Sequence, residues 1–250
     1  MNLETITILN QLNSSFYQMN CESFSQTRQN AWLGWKQVTR HFVQKDFGRS
    51  YRVLDIACGN MRFEKYLVEN VPDFEFQFEC IDSCDELSVP MEGCAYCHRD
   101  IIQDLTQSES FPTCWGEGFD AAVSFGFFHH VPSVELRIRL LEGLADTVRR
   151  GGLIAVSLWR FASDESMRAK AERTTAKALA SLSIPGELEQ GDYLLGWNDI
   201  PGVYRYCHSF DDGEIAEIIS SSAARASLVD RFRADGRTGT SNEYLVFRRL

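Results

Sequence analysis

Asp55, Gly59, Asp82, Asp100, the pair His129–His130 and two arginines, Arg28 and Arg205, are the residues of this chain best suited by type and spacing to chemistry. The stretch DIACGNMRF, Asp55 to Phe63, sits between a strand-like run, YRVL, and a helix-like run, EKYLVEN. A short loop with a glycine at that turn can hold a nucleotide-like ligand, because its backbone N–H groups come close to what it binds. FEFQFECID ends at Asp82 with Ser83 next to it, AYCHRDI ends at Asp100 and Ile101, and FDAAVSFGFF carries Ser124 toward the two histidines. A carboxylate that ends a strand can accept hydrogen bonds from both hydroxyls of a ribose. An arginine presents a planar fork that matches a carboxylate or a phosphate.

The elements that must position these residues alternate. Strand-like runs at YRVLDIA, FEFQFECID, AYCHRDI, FDAAVSFGFF and GGLIAVSLWRF are separated by helical or loop segments, and VELRIRLLEGLADTVRR has clean helical spacing. That pattern predicts an α/β fold: a mostly parallel sheet with helices on both faces. Two amphipathic helices are expected within residues 1–49, the cofactor-binding core within 50–162, and an insertion or lid within 163–209. The lid is read as a helix from Ser163 to Leu182 and an irregular stretch from Pro185 to Ser209. A helix at DDGEIAEIISSS and an antiparallel hairpin, SLVDRFRAD with NEYLVFRRL, would close the chain over 210–250. No repeat or linker interrupts this, so one domain is expected.

Composition narrows the classes. A chain of 250 residues can bury one sizeable core. The formal net charge of −10 argues mildly against a nucleic-acid partner, although arginines gather in VDRFRADGR and FRRL. No apolar run reaches membrane-spanning length, and the first residues lack the pattern of a secretory signal. A cytoplasmic protein with no membrane partner is expected. The chain has eight cysteines, with Cys94 and Cys97 in a lone CxxC and Cys80 and Cys84 nearby. A structural zinc usually takes two such pairs converging on one point, so thiols and no metal are expected.

The loop separates the nucleotide-like cofactors. A pyrophosphate needs the close approach that GxGxxG supplies, and this loop has Gly59 alone, followed by Asn60 and Met61. S-adenosylmethionine has no phosphate, so one close glycine suffices while Met61 packs sideways. DIACGNMRF, CIDSC, RDI, SFGFFHH and RRGGLIAVSLW together resemble the ordered motifs of class I S-adenosylmethionine-dependent methyltransferases over roughly residues 50 to 160. The departures are Ala57 and Met61 for glycines, Ala57 reading as nearly neutral, and Arg150 where a proline is usual. The resemblance implies S-adenosyl-L-methionine as cofactor, with Asp55, Ala57, Gly59, Asp82, Ser83, Asp100, Ile101 and Ser124 around it.

The flanks extend the likeness. ESFSQTRQNAWLGW and GDYLLGW followed by YRYCHSFDDGEI resemble segments of the transfer-RNA wobble-uridine carboxymethyl methyltransferases, with Cys207 replacing an aromatic. That resemblance implies methyl transfer to a carboxylate, and in eukaryotic members a small zinc-binding activator protein. An ionised carboxylate needs no general base, only aim and the exclusion of water. Arg28, Arg205 and His129 are the expected catalytic residues, with His130, Tyr206 and His208 on the substrate. Trp32, Trp35 and Trp197 are alternatives for stacking on a base. Two other readings stay open: a methyltransferase for a small carboxylate or hydroxyl compound, and a cofactor-binding regulator without catalysis.

Overall fold

The computed structural model describes residues 1–43, 50–72, 74–88, 91–107, 115–198 and 200–250. The expected segment boundary at residue 49 and Cys114 lie outside the described residues. The first strand, β1 (Ser50–Ile56), shows why the sheet is buried on both faces. Tyr51 and Val53 enter one core cluster, and Leu54 and Ile56 enter another. This is the two-residue alternation of a strand covered on both sides. Asp55 shares the parity of Tyr51 and Val53, which directs it toward the helix that follows.

Seven strands form the main sheet. β2 (Glu75–Asp82) and β3 (Cys94–His98) lie to one side of β1. β4 (Phe119–Ser124) and β5 (Val148–Trp159) lie to the other. These five are parallel to one another. The late strands β8 (Ala226–Ala234) and β9 (Asn242–Arg249) form the expected antiparallel pair. β9 inserts beside β5 in antiparallel sense, which leaves β8 at the edge and gives the order β3-β2-β1-β4-β5-β9-β8.

Helices cover both faces. α2 (Trp35–Val43) and α3 (Arg62–Asn70) place Trp35, Val38, Phe42, Phe63 and Leu67 on one side. α4 (Ile101–Gln107), α5 (Val134–Thr147) and α7 (Asp212–Ser222) cover the other with Ile101, Leu105, Leu140, Leu144, Ile215 and Ile218. α1 (Leu3–Gln26) starts at Asn2, whose side chain accepts from Thr5 N, and runs across the carboxyl ends of the parallel strands. No helix among the described residues is long and apolar enough to cross a membrane.

The segment 163–209 differs from its expectation. α6 (Glu165–Leu179) forms as read, but the stretch taken as irregular contains β6 (Asp192–Gly196) and β7 (Tyr204–His208), a separate antiparallel pair. Glycines and turn residues around these strands hid them. Contacts made far away in sequence stabilise them: Tyr206 N donates to Asn13 Oδ1 of α1, and Leu194 N donates to Thr175 Oγ1 of α6.

The glycine pair after α5 has a clear steric cause. A Cβ on Gly152 would stand 2.3 Å from Val148 Cγ1 and 2.8 Å from the backbone oxygen of Asp120. The register between β4 and β5 shifts at this point. Gly152→Ala must push two strands apart, so it is expected to cost about 1–3 kcal/mol, read as a lower melting temperature or denaturant midpoint.

Candidate functional site

All five parallel strands deliver their carboxyl ends to one edge, where the cavity lies. It encloses about 660 Å³, within the range of small-molecule sites. On the side of β1 and β2 the wall is acidic. Asp82 accepts from Gly59 N at 2.8 Å and from Cys84 N at 2.9 Å, which ties the loop after β1 to the end of β2. Each carboxylate oxygen keeps acceptor capacity for a ligand hydroxyl. A Cβ on Gly59 would meet nothing within 4 Å, so open cavity space lies against the loop. Asp100 caps α4 through Gln103 N and accepts from Asn10 Nδ2 of α1 at 2.8 Å. Ser83 and Ile101 also line this part.

The loop carries backbone strain that its sequence concealed. Ala57, Gly59 and Met61 all take positive φ, at 63°, 54° and 53°. Only glycine adopts that region freely. Ala57 is therefore a strained position and not the neutral substitution its small side chain suggests. Met61 does pack sideways, with 1% of its surface exposed in the core beside α3. Ala57→Gly is expected to raise stability by about 1 kcal/mol, seen as a higher melting temperature without ligand.

Asp55 faces Glu64 of α3, and both are buried, with Asp55 Oδ1 and Glu64 Oε2 lacking hydrogen-bond partners. Burial, then the neighbouring Glu64 carboxyl, raises the Asp55 pKa well above the usual carboxylate value. Burial also raises Glu64, opposed by the hydrogen bond from Asp55. The pair holds a shared proton in the fold, with Asp55 as its donor. Unfolded, both groups lose their protons in the ordinary carboxylate range. The stabilising contribution is thus complete below that range and lost as pH rises through the folded pKa. Glu64→Gln removes the need for that proton. It is expected to raise the melting temperature more at pH 8 than at pH 5, measured in parallel on both proteins.

The other end of the cavity is basic and aromatic. Arg205 on β7 is 6% exposed, and its Nε and Nη1 have no hydrogen-bond partner. Among the described residues no acid pairs with it. Rings of Phe16, Trp197 and Phe24 surround its guanidinium at 5.1, 5.4 and 5.8 Å. Arg28 lies over the same Phe24 ring at 3.5 Å, and it too makes no ion pair among the described residues. Burial is the largest cause that pushes Arg28 down to about 10, with repulsion from Arg205 and Arg62 adding to it. Both arginines are cations at neutral pH. Tyr17, buried beside them, is raised to about 12, chiefly by burial.

His129 and His130 follow β4 in a short 3-10 turn, Phe128–His130. Both are neutral. Burial first, then the nearby cations, drives His129 well below its ordinary value and His130 down to about 3. His130 Nε2 meets the Tyr17 hydroxyl at 2.7 Å, and its Nδ1 meets the Tyr206 carbonyl at 2.9 Å. A neutral ring satisfies both with Nδ1–H donating and Nε2 accepting, the tautomer that this network requires. His130 borders the cavity, but its nitrogens are committed to joining α1, β4 and β7. His129, His130 and Cys207 bring their ligand atoms within 4.8 Å of one another. With the His130 nitrogens so engaged, this trio reads as a hydrogen-bonded junction.

Three expected site residues lie elsewhere. Ser124 is fully buried and donates to the Ile56 carbonyl, stitching β4 to β1. The Tyr206 hydroxyl donates to Asp192 at 2.7 Å, and His208 bridges Asp192 and Glu214. Neither Tyr206 nor His208 lines the cavity. On β7 the side chains alternate, so Arg205 reaches the cavity while Tyr206 points away from it. Trp32 and Trp35 stack on each other at 5.7 Å beside Arg62, and Trp35 is buried. The sequence reading missed Asn10, Asn13 and Tyr17. Their i, i+3, i+7 spacing along α1 is a polar stripe that could have revealed them. It also missed Trp159, which ends β5, and Asp235, whose carboxylate accepts from Gly34 N, Asn242 and Tyr244 at the rim.

No protein-family model matches this chain, and no curated protein matches it. Solved structures do resemble it. One is an S-adenosylmethionine-dependent methyltransferase from Methanosarcina mazei, 16% identical, with a TM-score of 0.60 over 85% of this chain and 97% of that one. Another is the 1,6-didemethyltoxoflavin N1-methyltransferase of Burkholderia thailandensis with its substrate and S-adenosylhomocysteine bound. It is 15% identical, with a TM-score of 0.58 over 95% of this chain and 87% of that one. A third, from Clostridium acetobutylicum, is 10% identical with a TM-score of 0.54 over 94% and 97%. These likenesses and the strand order define the fold as that of the class I methyltransferases.

Proposed function

We propose that this protein is an S-adenosylmethionine-dependent methyltransferase whose acceptor is a small carboxylic acid. The observation that carries the proposal is the Arg205 guanidinium, buried in the cavity with two partnerless nitrogens and, among the described residues, no acid paired with it. An uncompensated buried cation is costly, and an anionic ligand relieves that cost. Arg28, across the same Phe24 ring, adds a second positive charge.

The acidic end of the cavity suits the cofactor. The Asp82 carboxylate, at the end of β2, suits a ribose diol, and the space against Gly59 leaves room for it. The Asp82 and Asp100 carboxylates complement a ligand with net positive charge. Bound there, S-adenosylmethionine supplies a methyl carbon whose bond to sulfur breaks, the electron pair staying on sulfur, as a carboxylate oxygen forms its bond to that carbon. Arg205 and Arg28 aim the carboxylate and hold it in a site walled from water by α1 and β7. No side chain has to accept a proton. His129, held neutral and far below its ordinary pKa, is a weak base, which favours an acceptor that is already ionised. Esterification removes the acceptor's charge, so the arginine clamp releases the product.

Four arginines late in the chain support a small acid over transfer RNA. Arg225, Arg231, Arg233 and Arg249 are each paired with Glu142, Glu243, Asp146 or Asp212. Charges committed in this way are poorly placed to track a phosphate backbone.

The test is methyl transfer from labelled S-adenosylmethionine to a panel of carboxylic acids and to bulk tRNA, with release by mild alkali to identify methyl esters. Alkali-labile label on small acids is expected, with little salt dependence. Label confined to tRNA and suppressed by salt would instead favour the carboxymethyl-uridine reading. Arg205→Met is expected to lower kcat/KM for the acid by roughly 30-fold or more, as for a lost buried charge pair. Its affinity for S-adenosylhomocysteine should change little, and its melting temperature should not fall, because the variant removes an unpaired buried charge.

A further inference from the structure

The walls around the arginine pair say what kind of carboxylic acid fits. Phe24 is shared: Arg28 lies over its ring at 3.5 Å and Arg205 at 5.8 Å. The two cations therefore lie near one ring at the same end of the cavity, where the positive charge of both acts on a bound anion. Phe16 and Trp197 screen the rest of the Arg205 guanidinium. Beyond that spot the cavity is lined by His129, Phe127, Trp159 and Met167. His129 meets Trp159 edge-on at 5.0 Å, and Trp159 is backed by Phe161 at 4.5 Å, so the wall is braced. Met167, from the first turns of α6, is 45% exposed and stands at the rim. The acids that line the cavity (Asp55, Asp82, Asp100 and Asp235) come from the cofactor side or the β8–β9 turn, not from this wall.

From this arrangement we infer that the acceptor is a monocarboxylic acid with a flat aromatic body. The inference rests on the carboxylate reading above and names its substrate class. The carboxylate sits between Arg205 and Arg28, and the ring lies against Trp159 and Phe127. Offset or edge-on ring contacts reward a planar aromatic body over a flexible chain of equal carbon count. The thioether of Met167 adapts to the ring's outer edge. A polyhydroxylated acid finds one ring nitrogen each on Trp159 and His129, and its other hydroxyls lose hydration against Phe127 and Met167. A second carboxylate on the acceptor would meet Phe127, Trp159 and Met167, none of which carries a charge.

Isothermal titration of the full chain saturated with S-adenosylhomocysteine tests this, using four acids of matched size: aryl, straight-chain alkyl, polyhydroxy and dicarboxylic. The aryl acid is expected to bind at least about tenfold more tightly than each of the others. Trp159→Leu should reduce that preference by about tenfold, and Met167→Ser at the exposed rim by less, with affinity for S-adenosylhomocysteine retained in both. Tighter binding of the polyhydroxy or dicarboxylic acid overturns the inference and leaves the carboxylate reading standing. So does an aryl preference unchanged in both variants. Failure of every acid to bind a protein that binds S-adenosylhomocysteine overturns the inference together with the carboxylate reading.

Discussion

A buried guanidinium without a counter-ion among the described residues sets the terms for one half of this molecule. Arg205 faces the cavity from a strand that β6 and α1 hold in place. The fold encloses it in the rings of Phe16, Phe24 and Trp197, whose electron-rich faces offset part of the charge. What remains is a site that an anion completes. Tyr17, His130 and Asn13 serve the same end. Their hydrogen bonds lock α1 against β7, so the arginine cannot swing out of the cavity.

The opposite half reverses the sign. Asp55, Asp82 and Asp100 lie where the parallel strands end, and each is held by a different element. Asp82 is fixed by loop N–H groups, Asp100 caps α4, and Asp55 shares a proton with Glu64. A cavity negative at one end and positive at the other orders two ligands of opposite charge without moving parts. Burial strengthens both fields, because little water remains to screen them. It also keeps the two histidines between the fields neutral, which leaves catalysis to position and charge.

Strain concentrates in the loop between these halves. Ala57 and Met61 adopt the left-handed region without being glycine. Met61 is repaid by burial against α3, and Ala57 by a smaller contact with the core on the other face of the sheet. Backbone strain of this kind persists where the surroundings over-determine the geometry, here through bonds from Ala57 and Cys58 N to the Ile81 carbonyl. The chain thus keeps the loop's shape with side chains that do not favour it.

The sequence by itself determined the sheet, its helices and the acidic strand ends. Apolar runs of period two and amphipathic runs near 3.6 are local signals, and Asp82 and Asp100 sit at the ends of such runs whatever lies around them. It also marked Arg28, Arg205 and His129, by residue type and by resemblance. Tertiary structure decided what each became. Tyr206 and His208 adjoin Arg205 in sequence, yet strand alternation and the Asp192–Glu214 network turn them away from the cavity. Ser124 ends a strand as Asp82 does, but its hydroxyl bonds inward to Ile56. The strands β6 and β7 were hidden because Asn13 and Thr175, far away in sequence, complete their hydrogen bonding. Local pattern fixes which way a segment can fold. Which polar groups are left without partners depends on contacts between segments distant in the chain, and those partnerless groups are what make this cavity a site.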